Sequence, residues 1–402
     1  MTNETALLKD ADQLQVHRKS DHPTMQTDGV WDEVVSARKS RGEQIRKGKR
    51  IKRFLDALIL DLWVAHTYED NPWRGVARDK AAYQKETRYR KLFFKYDLFV
   101  PLLDDLIGLG YVDQKLGCEA MKRRTRIKAT SNLIDRCTAW DIEHVHRASD
   151  VPEEESIILK DQDKLVIDYA DTALTHMWRK KLALINAKLE ATAITVPGVK
   201  CDTSAKRLYR VFNDGNWRKG GRFVGGFWQQ LKQRNDKQRE KILIDGQSCC
   251  ELDFKATHAT MVYNMQGMAA PEDSYKIPGF DRDTVKKAFL VLFNCKDREH
   301  TLNTMRSKKH IKEAEAVLTA IEDAHPDIRD YFHSRELGLQ LQQLDSLIAA
   351  GVMDDMYKSN IVCLPIHDSF IVPAQHEEAL RNSMCKWWEY HFKQNPSIDK
   401  KY

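Results

Sequence analysis

Two aspartates at the edges of short apolar segments are the residues of this chain best placed to do chemistry. Asp253 closes the run Cys250-Glu251-Leu252-Asp253, and Asp368 lies within Pro365-Ile366-His367-Asp368-Ser369-Phe370-Ile371-Val372. A carboxylate in such a setting is costly unless a metal ion or a cation meets it, so two of them suggest a metal clamp. The first segment alternates as a strand up to Asp253 and becomes helix-compatible from about Thr257, which predicts a strand-to-helix transition at the aspartate. The second reads as strand, tight turn, strand, with His367 and Asp368 presented at the tip.

Basic and glycine-rich segments lie around this pair. Residues Val211 to Gln230 combine five glycines, three basic side chains and several aromatics. Glycine permits close backbone approach, arginine forks onto phosphate and aromatic faces stack on bases. The competing reading is a Gly-rich hairpin with a packed Trp. No GxxxxGK[ST] occurs, so this is not a Walker phosphate loop. Between the aspartates, Arg282 to Asn294 reads as an amphipathic helix. Arg282 and Lys286, four apart, share one face, a spacing suited to gripping a polyphosphate; Lys287 follows them. A solvated stripe is the competing reading of that pair.

The elements that must position these residues follow from pattern. Lys241 to Asp253 reads as two strands turning at Asp245-Gly246. Helices are expected from about Lys309 to Ala324, from about Pro326 to Gly351, the latter carrying Gln340, Gln342, Gln343 and Asp345, and from about Gln375 to Phe392. The last would pack Leu380, Met384, Trp387, Trp388 and Tyr390.

Towards the N-terminus, residues 1 to about 30 are polar and aperiodic and are expected to be a disordered tail. From Arg38 to Arg53 there are nine Lys or Arg against one acidic residue, Glu43, and this basic run enters the apolar segment Phe54 to Trp63. Further basic clusters lie at Lys122-Arg123-Arg124-Thr125-Arg126 and Arg306-Ser307-Lys308-Lys309-His310. Three such clusters on one chain favour a nucleic-acid partner over three solvated faces. Asp97 is expected to cap a helix bearing Leu98, Phe99, Leu102, Leu103, Leu106 and Ile107. A strand at Tyr111-Val112-Asp113, a Gly-containing turn and a strand at Thr125 to Thr130 follow. This order resembles the latter half of a winged-helix module, a fold that commonly contacts duplex DNA, against a plain α/β subdomain. Arg124 and Arg126 would be its contacts. Beyond it, Ile157-Ile158-Leu159 and Leu165-Val166-Ile167 read as strands. A long helix from about Tyr169 to Ala191 follows, with Leu174, Met177, Trp178, Leu182, Leu184 and Ile185 as its core face. Pro197-Gly198 marks a boundary. The expected division is therefore a tail over 1–30, a basic module over 31–150, a connecting region over 151–200 and a core over 201–402.

Composition bounds the answer. With 402 residues and 42% hydrophobic content the chain can bury two or three domains. The apolar run from Phe54 to Ala65 is interrupted by Asp56 and Asp61, so no segment is expected to span a bilayer, and no signal peptide is read, which makes the cell interior the expectation. Eight cysteines form no CxxC pair and are read as reduced thiols.

The succession of a Gly/Arg segment, a strand-borne aspartate, an Arg-xxx-Lys helix, a Gln-bearing helix and a His-Asp hairpin resembles the core of family A DNA polymerases and single-subunit phage-type RNA polymerases. Leu252 to Met261 is similar to their motif A, Arg282 to Asn294 to motif B and Ile366 to Phe370 to motif C. Gly220-Gly221-Arg222-Phe223 with Gln229-Gln230-Leu231 resembles the segment before motif A. The resemblance covers about residues 205 to 375. It implies an α+β right-hand fold with a palm, short fingers and thumb-like helices behind a helical, winged-helix-like N-terminal module.

The resemblance also implies roles. Asp253 and Asp368 would bind two Mg²⁺ ions, with Mn²⁺ as a substitute. Arg282, Lys286 and Lys287 would face the incoming nucleoside triphosphate, and Arg222, Gly221 and Gln230 would approach primer or template. His367 would orient the primer end, and His258 would lie beneath the incoming sugar. A satisfied core histidine is the other reading of either ring. Some positions depart from the family pattern. His258 stands where family A DNA polymerases use glutamate against ribose, the tyrosine late in motif B is missing, and Ser369 follows Asp368 as in the RNA polymerases. Sugar choice is therefore open. No proofreading exonuclease domain is expected. The function implied is template-directed nucleotidyl transfer by a compact polymerase or primase, in the cytoplasm of a bacterium or phage-infected cell and suited to a phage, plasmid or mobile element. The alternatives are a non-catalytic winged-helix DNA-binding or replication protein with a degenerate palm, and a Mg²⁺-dependent nuclease, which would not need the Arg-xxx-Lys helix.

Overall fold

The computed structural model describes residues 27–84, 88–89, 94–118, 124–139, 154–233 and 236–402, of Ala139 only the backbone. It also gives the backbone of three two-residue strands, Asp12–Gln13, Arg18–Lys19 and His146–Arg147. The tail expected over residues 1–30 lies almost wholly outside the described residues, as do Lys122 and Arg123. The chain is mixed α+β and divides into two units, residues 1–155 with 198–205, and residues 156–197 with 206–402. The connecting region expected over 151–200 thus falls mainly in the second unit. Among the described residues no helix is long and apolar enough to cross a membrane.

In the first unit α1 (Asp28–Ser40) is followed by α2 (Gly48–Tyr68), β1 (Arg74–Val76), α3 (Tyr96–Gly108), β2 (Val112–Lys115), β3 (Thr125–Ala129) and α4 (Ser131–Ala139). The antiparallel order is β1-β3-β2, with Lys115 opposite Arg126 and Arg74 opposite Ile127. The middle of α2 is buried on nearly every side by Leu55, Leu58, Ile59, Leu62 and their neighbours. Each such side chain contributes about 2 kcal/mol of apolar burial. Asp61, set in that helix, is fully buried and accepts Arg74 Nε at 2.9 Å, while Glu69 accepts Arg74 Nη1 at 2.6 Å. Of the two charges that interrupt the apolar run, Asp61 therefore fastens β1 to α2, while Asp56 pairs with Lys52 one turn earlier. Asp97 does not cap α3: Lys95 holds the cap position and Asp97 stands in the first turn, where it complements the helix dipole.

The second unit holds two sheets. One is β7-β6-β4, formed by β4 (Ile157–Leu159), β6 (Tyr209–Asn213) and β7 (Asn216–Val224). The other runs β10-β11-β9-β8-β5, from β5 (Ile194–Thr195), β8 (Leu243–Ile244), β9 (Gln247–Phe254), β10 (Leu364–Ile366) and β11 (Ser369–Pro373). A strand the sequence pattern did not indicate, β12 (Ile398–Lys400), pairs with the end of β9. The helices are α5 (Ala173–Ala191), α6 (Thr257–Met265), α7 (Arg282–Leu292), α8 (Arg298–Lys309), α9 (Ala314–Ala324), α10 (Arg335–Lys358) and α11 (Glu377–Phe392). Helix α10 lies along β7.

Several elements differ from expectation for local reasons. Leu165-Val166-Ile167 is not a strand: a turn at Lys164, whose φ is +68°, leaves one bridge between Lys160 and Val166, with Leu165 and Val166 exposed. Helix α5 begins later, at a capping box in which Thr172 and Thr175 bond each other's backbone N–H. It buries Trp178, Leu182 and Ile185 but exposes Leu174, Met177 and Leu184. The helix expected over 309–324 begins only at Ala314, since His310 turns left-handed and ends α8. Pro326 starts a 3₁₀ turn, and Ser334 caps the separate helix α10. On α11, Trp388 is buried whereas Tyr390 is exposed.

Candidate active site

Local backbone geometry puts the two aspartates side by side. Strand β9 pairs antiparallel with β11 so that Asp253 stands opposite Ser369 and Leu252 opposite Phe370. Strands β10 and β11 pair Ile366 with Ser369, which leaves His367 and Asp368 as a two-residue turn, with His367 left-handed at φ +59°. Asp368 is thus one residue from the partner of Asp253. After Phe254 the chain turns at Ala256, also left-handed at φ +46°, and enters α6 at Thr257. Thr257 Oγ1 lies 2.5 Å from Asp368 Oδ2 and 3.1 Å from the Phe254 carbonyl. It has one proton, and the shorter, charge-assisted bond takes it.

Burial first, and then the negative charge of Asp368, push the Asp253 carboxyl up to about 7. This is how an acid behaves when too little positive charge reaches it. One cation does: Lys401, just beyond β12, places Nζ 2.7 Å from Asp253 Oδ2. Among the described residues no group of three or more His, Cys, Asp or Glu side chains is arranged to hold a metal. Mg²⁺ binds through one or two carboxylates and fills its remaining positions with water and substrate phosphate, so Asp253 and Asp368 are the residues that would hold it.

Beside the pair is a buried polar network. Arg222 Nε donates to Asp345 Oδ2 at 2.7 Å, and its Nη2 lies 3.1 Å from His258 Nε2. A guanidinium only donates, so Nε2 accepts and the ring proton sits on Nδ1. Burial, then the Arg222 charge, lower His258 to about 4 and keep it neutral. Burial raises Asp345 to about 6 against the pull of Arg222. Beneath them Arg210 is fully buried, donating Nε to the Gly221 carbonyl at 2.9 Å and Nη2 to Ser346 Oγ at 3.1 Å. Its guanidinium lies 5.0 Å from the ring centre of Trp178 and 5.1 Å from those of Phe212 and Phe223. Gly221 has φ +83°, and a Cβ there would meet Phe212 at 2.7 Å and Ser346 Oγ at 2.8 Å. The close approach of β7 to α10 therefore requires glycine.

The structure brings together Asp253, Asp368, His367, His258, Arg222 and Gly221. His367 is exposed at the hairpin tip, and its surroundings, then Arg222, hold it below its ordinary value. On α7, Arg282 is exposed and spent on Asp273, with Nε to Oδ2 at 2.6 Å and Nη2 to Oδ1 at 3.1 Å. Lys286 and Lys287 are exposed. Gln230 is exposed as well, and its neighbour Gln229 takes the inward position, donating to the Pro365 carbonyl at 2.9 Å. Trp228 Nε1 bonds the same carbonyl at 3.1 Å, fixing the base of the Asp368 hairpin. Arg124 is exposed and Arg126 half-buried on β3, in the first unit. Of the long basic run, Arg38 and Arg41 pair with Asp105 and Lys52 with Asp56, while Arg46, Lys47, Lys49 and Arg50 are exposed.

Residue patterns gave Thr257 and Asp345 only as parts of their helices, with no place at the site, and left out Tyr275 and Lys401. Tyr275 is buried beneath Arg282, 5.4 Å from its guanidinium, and packs 5.3 Å from Phe289. Burial and the charge of Asp368 raise its phenol well above the usual range. The available signal was the acidic Asp345 among the glutamines of α10, two of which, Gln342 and Gln343, precede it within one turn. Ser369 is also committed: its hydroxyl donates to buried Glu251 Oε1 at 2.7 Å, which accepts Arg239 Nη1 at 2.9 Å as well.

No protein-family model matches the chain, and no curated protein matches it in sequence. Among solved structures it is similar to the POL domain of Pol1 from M. smegmatis in complex with DNA primer-template and dNTP. That likeness has 12% identity and a TM-score of 0.32, and covers 56% of this chain and 51% of that one, so the chain spans about half the length of that domain.

Proposed function

We propose that the chain is a template-directed nucleotidyltransferase, a compact DNA or RNA polymerase or primase, acting at Asp253 and Asp368. The observation that carries this reading is the antiparallel register that sets Asp253, on β9, beside Asp368, in the β10–β11 turn, with Asp253 under-neutralised. They would hold two Mg²⁺ ions, for which Mn²⁺ substitutes; bound there, the ions would stabilise charge on the attacking and leaving oxygens of an in-line displacement.

The chain's own residues position and neutralise. Arg222, fixed through Nε and Nη2, leaves Nη1 for a primer or template phosphate. Lys286 and Lys287 would meet the triphosphate, joined by Arg282 once Asp273 exchanges it for phosphate; phosphoryl transfer depends mainly on such placement of charge. Neutral His258 would present a ring to the sugar, and His367 would orient the primer end. Primer extension and de novo synthesis with each nucleotide set, on wild type, D253A and D368A, test this. Incorporation by wild type and its loss in both variants is expected; unchanged incorporation in the variants removes the assignment.

A second reading rests on the first unit. The succession α2, β1, α3, β2, β3, with β3 between the other two strands, supports a winged-helix-like nucleic-acid-binding module over 31–150. Arg124 and Arg126 would contact phosphate there. Salt-sensitive duplex binding without incorporation on any template would favour this non-catalytic reading, and substrate shortening would favour a nuclease.

A further inference from the structure

Lys401 touches Asp253 and has no role in the nucleotidyl-transfer reading, and its placement is built. Strand β12 is tied to β9 with Asp399 opposite Asp253 and Lys400 opposite Leu252. Lys401 N–H donates to the Glu251 carbonyl at 2.8 Å, and Lys255 N–H donates to the Ser397 carbonyl at 2.9 Å. Tyr402 OH closes the segment on the Arg239 carbonyl at 3.1 Å. The backbone is therefore held while the side chain, 38% exposed, retains room to move. Its ammonium rests on Asp253 Oδ2 at 2.7 Å and faces the charges of Asp399 and Glu251 as well. Glu251 is itself buried, and its Oε2 has no hydrogen-bond partner among the described residues. Arg239 already pairs with Glu251 through Oε1, which leaves Lys401 as the ammonium that meets Asp253.

We propose that Lys401 is the resident counter-ion of this site: without a divalent cation its ammonium occupies the face of Asp253 that a metal would take, and metal binding must displace it. This rests on the reading of Asp253 and Asp368 as metal ligands. A tethered ammonium competes at a high local concentration, yet it is a single charge on a flexible four-carbon stem and withdraws without moving β12. Lys401 therefore sets the divalent-ion concentration at which the site fills, and keeps Asp253 neutralised below it.

The test is direct Mn²⁺ binding, followed by electron paramagnetic resonance on the full chain without nucleotide or nucleic acid. K401A and K401M are expected to bind Mn²⁺ about tenfold more tightly than wild type, the size of one charged hydrogen bond removed from the competition. K401R, which keeps the cation, stays within about threefold of wild type. Thermal melts confirm that each variant is folded. Affinity unchanged or weakened in K401A and K401M, with binding lost in D253N, overturns the counter-ion role and leaves the metal site standing. Absence of Mn²⁺ binding in every form, wild type included, overturns the metal reading and the counter-ion role together.

Discussion

Thr257 and Asp368, 111 positions apart, share a hydrogen bond of 2.5 Å from the threonine hydroxyl to the carboxylate Oδ2. The first residue of α6 therefore ties the turn after β9 to the tip of the β10–β11 hairpin, and it fixes one oxygen of Asp368. In T257V, which preserves shape but not the hydroxyl, Asp368 loses its orienting donor. Nucleotide incorporation should fall about tenfold or more through kcat, with T257S within about threefold of wild type, because a single charge-assisted bond is worth about 1.5–3 kcal/mol. Equal rates for T257V and wild type in single-turnover extension would dismiss this role.

Asp345 is buried against Arg222 and has no other strong donor among the described hydrogen bonds. Truncation in D345L leaves a guanidinium largely out of water without its carboxylate and should cost about 3 kcal/mol in urea unfolding. D345N retains an acceptor and should cost about 1 kcal/mol. A D345L protein as stable as wild type would show that Arg222 repairs itself with water.

His258 supplies a pH dependence. Its folded value of about 4 lies below its ordinary 6.5, so between these values the unfolded chain binds a proton that the folded chain refuses. Stability is then complete above about pH 6.5 and is progressively lost as pH falls towards 4. H258Q, which keeps an acceptor for Arg222, should reduce the slope of unfolding free energy against pH by about one proton in that window. Asp345, raised to about 6, works in the opposite direction, losing stability as pH rises from about 4 to 6, and is common to both proteins. Identical slopes for H258Q and wild type would count against a neutral His258.

Gly221 carries both a left-handed φ and a contact no Cβ could keep. G221A should lose about 2 kcal/mol or more, and because Arg222 follows directly, primer-template affinity should fall with it. G42A is the control, since Gly42 is also left-handed, at φ +74°, but open around its Cα. Comparable losses in both would mean that backbone strain alone, and not the packing of β7 on α10, decides Gly221.

What could be read from residues was short-range. Alternation brought Asp253 to the end of a strand, the change of period at Thr257 announced α6, and the polar pair inside Ile366 to Phe370 announced a hairpin tip. Each is decided within a few residues by side-chain direction and backbone sterics. Local pattern erred beside single left-handed residues: the turn at Lys164 keeps Leu165 to Ile167 from forming a strand, and the turn at His310 delays to Ala314 the helix expected from Lys309. It also chose Gln230 over Gln229, because which of two adjacent side chains faces inward depends on where the 3₁₀ turn beginning at Phe227 starts.

By itself, then, the sequence determined the carriers of the chemistry: a strand-borne carboxylate, a second at a hairpin tip, a Gly-Gly-Arg strand and a basic helix, all set by local pattern. Only the tertiary structure decided the partners: Asp345 for Arg222, Thr257 for Asp368, Asp273 for Arg282 and Lys401 for Asp253. Their separations run from 9 positions for Asp273 and Arg282 to 148 for Asp253 and Lys401. Strand register and helix placement bring such pairs into contact, and a carboxylate gives no sign in sequence of which distant cation will neutralise it.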